Sequence, residues 1–342
     1  MEENLVLVTA SPHVRAKRTT RGIMLDVLIA LLPALFAAGW HFGWRAGLVC
    51  AVSVGSCVLL EYISRKVMKR ENTIGDLSAI VTGLLLAFNL PATLPLWMVP
   101  IGAAAAIVVT KQMFGGLGQN FANPAIVGRI VLMLSFTTAM TSFPKAGAWL
   151  TEGADAVASA TPMKEIGTLA KTAAVDGSFA PQSLPTLLQM FLGERGGSLG
   201  ETCGAALLLG FVYLLLRKVV NPLIPCCFVG TVFLGSLLYS GNLELAVYEV
   251  LGGGLLLGAI FMATDYVTSP IHWKGRIVFG VGCGLITVVI RFFGNMPEGV
   301  SFAILLMNLL SPLIENLTAP KAFGEKEYYA LEAQREDGKE KA

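Results

Sequence analysis

Long apolar runs separated by short polar or charged stretches dominate the chain. A helix that crosses a bilayer needs about 20 predominantly apolar residues. Ten runs approach that length: 23–42, 45–62, 77–91, 95–111, 122–140, 201–218, 222–240, 245–262, 276–293 and 299–314. The third and fourth are short and are parted by Asn89-Leu90-Pro91-Ala92-Thr93, which reads either as a tight helical hairpin or as one broken helix. The pattern predicts an all-α polytopic membrane protein of about ten transmembrane helices.

Composition strengthens this reading. The 342 residues are 54% apolar and 14% charged, with a mean hydropathy of +0.67; soluble domains carry roughly 25% charged residues. The net charge of +2 is too small to suggest a nucleic-acid partner, so the bilayer is the expected environment. The first apolar run follows a basic stretch and is long enough to span, which reads as a membrane helix rather than a cleaved signal. Cys50, Cys57, Cys203, Cys226, Cys227 and Cys283 all lie in or beside apolar runs with no metal-binding spacing, as packing residues do. His13, His41 and His272 are equally scattered.

Charge placement sets an orientation. With the N-terminus inside, inner segments hold 18 Lys and Arg and outer segments hold 6, as the positive-inside rule requires. The expected layout is a cytoplasmic N-terminal segment (1–22), a first membrane half (23–140), an outer loop (141–200), a second membrane half (201–314) and a cytoplasmic tail (315–342). Trp40, Trp44 and Trp97 fall near the proposed interfaces, as aromatic-belt residues should. Five spans per half is an odd number, so the second half enters the membrane in the opposite sense, the pattern of an inverted repeat. Each half carries a polar interruption that follows an apolar run and ends in proline: 115–124 (GGLGQNFANP) and 263–270 (ATDYVTSP).

Three charged residues stand out. Asp26 and Asp265 lie near the ends of apolar runs, where a carboxylate contacts an ion or a flavin, meets a neighbouring subunit, or simply caps a helix or pairs with a base. Arg129 lies deeper, five residues after Pro124, where a guanidinium is expected to pair with a phosphate or a carboxylate. In the outer loop, Asp155 is followed by Ala158-Ser159-Ala160-Thr161-Pro162. The proline pushes Thr161 into extended or turn backbone, and the small residues before it leave room for a bulky group. Taken alone, this is also how an ordinary small-residue turn looks.

The segment resembles the flavin-attachment motif of the D subunit of Rnf-type electron-transport complexes and the related B subunit of Na⁺-translocating NADH:quinone reductases. There Asp-x-x-Ser/Thr-Gly-Ala-Thr carries FMN through a phosphoester on its last threonine, which corresponds to Thr161. Asp155, Ala160, Thr161 and Pro162 keep that frame; Ala158 replaces the hydroxyl residue and Ser159 the glycine. Ser11-Pro12-His13 with the run from Ile23 to Ala34, the stretch from Gly115 to Arg129, and Phe261 to Pro270 are similar to further family signatures in the same order. The resemblance implies a membrane flavoprotein subunit that binds FMN covalently at Thr161, with Asp155, Ser159, Ala160 and Arg129 about the cofactor. It also implies riboflavin held non-covalently. The assembly it implies is a hetero-oligomer with the other Rnf subunits in a bacterial cytoplasmic membrane, moving electrons between ferredoxin and NAD⁺ and coupling them to Na⁺ or H⁺. The alternative drawn from pattern alone is an inverted-repeat transporter or channel without a redox cofactor.

Overall fold

A computed structural model describes residues 18–144, 146–147, 149, 158–159, 162–176, 184–294 and 298–320. Among the described residues, the regular structure is helical apart from one two-stranded ribbon. In the first half are α1 (Thr20–Phe42), α2 (Trp44–Val67), α3 (Ser78–Phe88), α4 (Val99–Gln112), α5 (Pro124–Ser135) and α6 (Thr137–Met140). Between the halves lie α7 (Pro162–Asp176) and α8 (Leu187–Leu192), and β1 (Phe143–Pro144) pairs antiparallel with β2 (Ala158–Ser159). The second half holds α9 (Gly204–Leu216), α10 (Leu223–Ser240), α11 (Leu243–Leu251), α12 (Leu255–Met262), α13 (Trp273–Phe293) and α14 (Val300–Thr318).

Every apolar run is helical, but they are not equally long. Among the described residues, α1, α2, α10, α13 and α14 are long and apolar enough to cross a membrane, and α11 with α12 makes a sixth span bent by 63°. The runs 77–91, 95–111, 122–140 and 201–218 become α3, α4, α5 and α9, each of 10–17 residues. At 1.5 Å per residue the 11 residues of α3 span only about 16 Å, against a hydrocarbon core of about 30 Å. The ten expected apolar segments are thus present, whereas ten full crossings are not established. Of the short helices, α3 stops at Asn89 and α4 just before the Gly115–Gly116 turn. Such breaks are tolerated at membrane depth only where neighbouring protein satisfies the freed backbone groups. The run 122–140 breaks at Phe136, between α5 and α6.

Element order repeats between the halves. A helix pair (α1–α2, α9–α10) leads into a shorter pair (α3–α4, α11–α12) whose second member ends in π-helical turns, at Ala105–Gln112 and Gly258–Met262. A polar interruption and another helix follow in both. Close packing joins these elements through small residues, as is usual between apolar helices. A Cβ on Gly210 of α9 would stand 2.2 Å from the Ala30 carbonyl oxygen of α1, and one on Gly83 of α3 would stand 2.7 Å from the Val54 Cα of α2. The outward faces are apolar, with Trp40, Phe36, Leu216, Leu238 and Leu317 largely exposed, the surface expected of lipid contact. Trp44 and Trp97 are exposed as well.

The segment between the halves is more built than its composition suggests. Met163 and Ile166 of α7 bury against Leu184, Met190 and Tyr248, so α7 rests on the second half rather than hanging as a loop. The described cysteines are all unpaired, and no group of three or more His, Cys, Asp or Glu among the described residues is arranged to hold a metal ion.

Candidate functional site

The two polar interruptions, far apart in sequence, meet beside the start of α1 and the turn after α9. After its π-helical end, α4 turns through Gly115, Gly116 and Gly118 at φ +130°, +109° and +92°, a region that side chains with a Cβ rarely enter. The chain then reaches Asn123, whose side chain caps α5 by accepting from the Ala125 amide at 3.0 Å, with Pro124 opening the helix. Asn123 Nδ2 donates to the Met262 carbonyl at the π-helical end of α12 at 3.2 Å. Asn120 Nδ2 donates to Asp265 Oδ2 at 3.4 Å, and Thr268 Oγ1 donates to the same oxygen at 3.2 Å. Asp265 therefore joins the two interruptions. π-helical turns within helices often mark functional positions because they free backbone groups and re-aim side chains.

Beside this junction is a recess of about 100 Å³ with apolar walls from Met24, Val81, Leu117 and Phe261 and polar groups from Asn120 and Asp265. Lys111 and Ser78 line it as well. Lys111 is 2% exposed; its Nζ lies 2.8 Å from Glu61 Oε2 and 2.6 Å from Ser78 Oγ. Thr73 Oγ1 donates to the other Glu61 oxygen at 3.0 Å, so this fully buried carboxylate is held at both ends. Asp26 takes a different role. It accepts from Tyr213 OH at 3.0 Å and from Arg217 Nε at 3.2 Å, tying α1 to the far end of α9.

A second polar layer lies under the start of α7. Arg129 Nη1 donates to Asn89 Oδ1 at 2.7 Å, and Nη2 bonds the Glu298 carboxylate. Glu201 Oε1 stands 3.1 Å from Nη1, close enough for an ion pair though off the hydrogen-bonding direction. The expectation that Arg129 pairs with an acidic group is met by two carboxylates. Arg291 binds Glu249 Oε2 at 2.8 Å and the Glu249 carbonyl at 2.6 Å. Arg195, from the turn after α8, donates through Nη2 to the Glu201 carbonyl at 2.7 Å. Pro162, Met163, Arg195, Gly197, Gly253 and Glu298 line a small cavity of about 10 Å³, room for roughly one water.

Thr161, Ala160 and Asp155 lie outside the described residues. Ser159 is described only through its backbone, which pairs in β2 with Phe143. Of the residues singled out from sequence, Arg129 is thus placed in the layer beside Pro162, Asp265 where the two interruptions meet, and Asp26 in an ion pair with Arg217.

This arrangement sits within a match that runs nearly the length of the chain. Residues 7–324 match the model of the NQR2, RnfD, RnfE family. The chain belongs to that family. Among NQR2, RnfD, RnfE relatives, the chain is 43% identical to the D subunit of the Na(+)-translocating ferredoxin:NAD(+) oxidoreductase complex of Acetobacterium woodii, over 95% of this chain and 97% of that protein. It is 40% identical to the D subunit of the proton-translocating ferredoxin:NAD(+) oxidoreductase complex of Clostridium ljungdahlii, over 95% and 98%. With the D subunit of the ion-translocating oxidoreductase complex of Escherichia coli K12 it shares 34% identity over 93% and 98%.

Several buried charges of this NQR2, RnfD, RnfE chain escaped the sequence reading. Glu61, Lys111, Arg195, Glu201, Glu249, Arg291 and Glu298 are all buried. Glu61 and Lys111 close the runs 45–62 and 95–111, and an ionisable residue inside an apolar run is the signal that would have found them. Glu201 and Glu298 carry no such signal, because each sits in a polar turn.

Proposed function

We propose that the chain is the D subunit of an Rnf-type complex, a membrane flavoprotein that helps to carry electrons between ferredoxin and NAD⁺ while the assembly moves Na⁺ or H⁺. The observation that carries the reading is full-length similarity to proteins named as that subunit, together with the Asp155–Pro162 frame that leads into α7. The two relatives translocate different ions, so the reading names either ion without choosing. Both termini face the cytoplasm in this reading, the outer loop faces away from it, and the other subunits of the complex are the chain's partners in a bacterial cytoplasmic membrane.

FMN is attached through its phosphate to Thr161 in this reading, and riboflavin is held without a covalent bond. Two observations support the fit. Among the described residues, Arg195 Nε, Ser198 Oγ and Thr202 Oγ1 are buried without a hydrogen-bond partner, and Arg195 lines a cavity with Pro162. The recess pairs apolar walls with the Asn120 amide and the Asp265 carboxylate, the mix of apolar lining and few polar groups that a small-molecule site uses. Bound flavin supplies the electron chemistry; the chain's residues orient it, exclude water and set its surrounding charge. In the outer layer, the Arg129, Glu201 and Glu298 set holds together the turns beside Pro162 at the start of α7. In the recess, Lys111 keeps a cation beside the ligand, balanced by Glu61.

The alternative is a transporter without a redox cofactor, favoured by the two interrupted helices that face one another. Flavin content separates them. The chain co-produced with its flavin-transferring enzyme is expected to fluoresce in a denaturing gel, and Thr161→Ala is expected to abolish that band. A wild-type chain that stays dark under these conditions supports the transporter. Covalent fluorescence that survives Thr161→Ala removes Thr161 as the attachment point.

A further inference from the structure

We propose that Arg65 receives a carboxylate from a neighbouring subunit of the complex, which docks at the end of α2 and on the glycine turn after α4. The inference rests on the subunit reading above and is independent of where flavin is attached.

The buried cations are not equally served. Lys111, Arg129 and Arg291 each meet a carboxylate, and Arg195 donates to a carbonyl. Arg65 is 8% exposed, yet among the described residues its guanidinium has no hydrogen-bond acceptor and no carboxylate within ion-pair distance. Glu61, one turn earlier on α2, is the acid that helical spacing would offer it. Both Glu61 oxygens are already taken, one by Lys111 and the other by Thr73. In the last turn of α4, which packs on this end of α2, Gln112 is fully buried and both its amide atoms also lack partners. Buried polar groups are nearly always satisfied, and a buried cation without a partner is costly, so an acceptor from outside the chain is implied.

The surroundings narrow the source of that acceptor. Leu59, Tyr62, Ile63 and Val67 form the exposed apolar face of α2, whereas Glu61, Ser64 and Arg65 lie on its buried face. Arg65 is therefore turned away from lipid, which disfavours a headgroup phosphate. Its Nε is sealed, while Nη1 and Nη2 keep some access, and that edge can hold both oxygens of a carboxylate. Gly116, at φ +109°, lies against the same edge: a Cβ there would stand 2.2 Å from Nη2, so glycine leaves the donor open. Around it Met113, Phe114 and Leu117 are exposed apolar side chains. Lys66, Lys69 and Arg70 are exposed as well, beside Glu71 and an Asp76 already bound to Ser78. Apolar anchors within a surplus of positive charge suit an acidic protein segment.

The test uses the complex produced with all its subunits and the full chain purified alone. Arg65→Met is expected to lower severalfold the share of the chain recovered with the other subunits. The thermal midpoint of the chain alone is expected to stay at or above wild type, because the variant removes a charge that has no partner there. A midpoint that falls in the chain alone, with assembly unchanged, marks a purely structural arginine and overturns the proposal. Unchanged assembly with loss of bound phospholipid assigns the site to a lipid phosphate and overturns it too. Arg65→Lys supplies an amine for zero-length carbodiimide coupling to a carboxylate. In the assembled complex this variant is expected to give a cross-link, absent from wild type, between position 65 and an Asp or Glu of another subunit. Links to this chain's own acids alone, or no link, overturn the proposal, and this measurement decides should Arg65→Met not fold. A wild-type chain that recovers no other subunit overturns the subunit reading instead, and this inference falls with it.

Discussion

Arg129→Met is expected to lose most of its folded yield and to unfold at a clearly lower temperature in detergent. The methionine fills a similar space, so the loss comes from charge rather than from a void. Without the guanidinium, Glu201 and Glu298 are left buried beside one another with no shared cation, and Asn89 Oδ1 loses its donor. Breaking a buried pair by removing one partner typically costs about 3–5 kcal/mol, and here two carboxylates lose the same partner. The double variant Arg129→Met/Glu298→Gln is expected to recover part of that loss, since one of the stranded charges is gone. A thermal midpoint for Arg129→Met equal to wild type would mean that water or protonation already neutralises these acids.

The second large effect concerns the recess beside the two interruptions. Glu61→Gln and Lys111→Met, made singly, are each expected to destabilise the chain by about 3–5 kcal/mol, because each strands a buried charge of opposite sign. The pair is 0% and 2% exposed by residue, with an N–O distance of 2.8 Å. The double variant is expected to be more stable than either single one, by the coupling that a double-mutant cycle reads. Equal losses that simply add would show that the two side chains do not act as a pair. The Lys111 variant carries a further expectation under the flavin reading. Removing the cation beside the recess disfavours a reduced, more anionic ligand, so a flavin bound there is expected to have a lower midpoint potential.

How much of this was legible in the sequence differs by physical cause. Apolar runs report burial or lipid contact directly, and every run that the hydropathy pattern marked is helical. Helix length is less legible, because an apolar run does not say whether its polar break is a loop outside the membrane or a turn enclosed by protein. The break after α3 is of the second kind, with Asn89 and Leu90 buried, whereas Arg217 and Lys218 after α9 are exposed. The two interruptions could be matched by composition, but that Asn120 reaches Asp265 and Asn123 reaches Met262 depends on how the halves dock. Arg129 announced itself by sitting within an apolar run. Lys111 sat at a run's end, where it reads as a charge that orients the chain, and the structure instead buries it against Glu61. Arg291 was counted with the outer charges in the same way and is buried against Glu249. The inside bias of Lys and Arg keeps its sign when such internally paired residues are set aside, so the expected orientation does not rest on them.

The outer loop shows the opposite case. Its small, polar composition concealed a helix whose Met163 and Ile166 bury against the second half. Two apolar side chains one helical turn apart are enough to dock α7, yet too few to raise the hydropathy of a long segment. The motif read by resemblance ends at the first residue of that helix, above the arginine layer.

Peptide mapping of the wild-type chain from its native membrane tests the central claim most directly. Tryptic cleavage after Lys145 and Lys164 releases 146–164, which contains Thr161. This peptide is expected to carry one flavin mononucleotide in phosphoester linkage, with fragment ions that place it on Thr161. Recovery of the same peptide unmodified from an intact assembly that still reduces NAD⁺ with ferredoxin would contradict that claim.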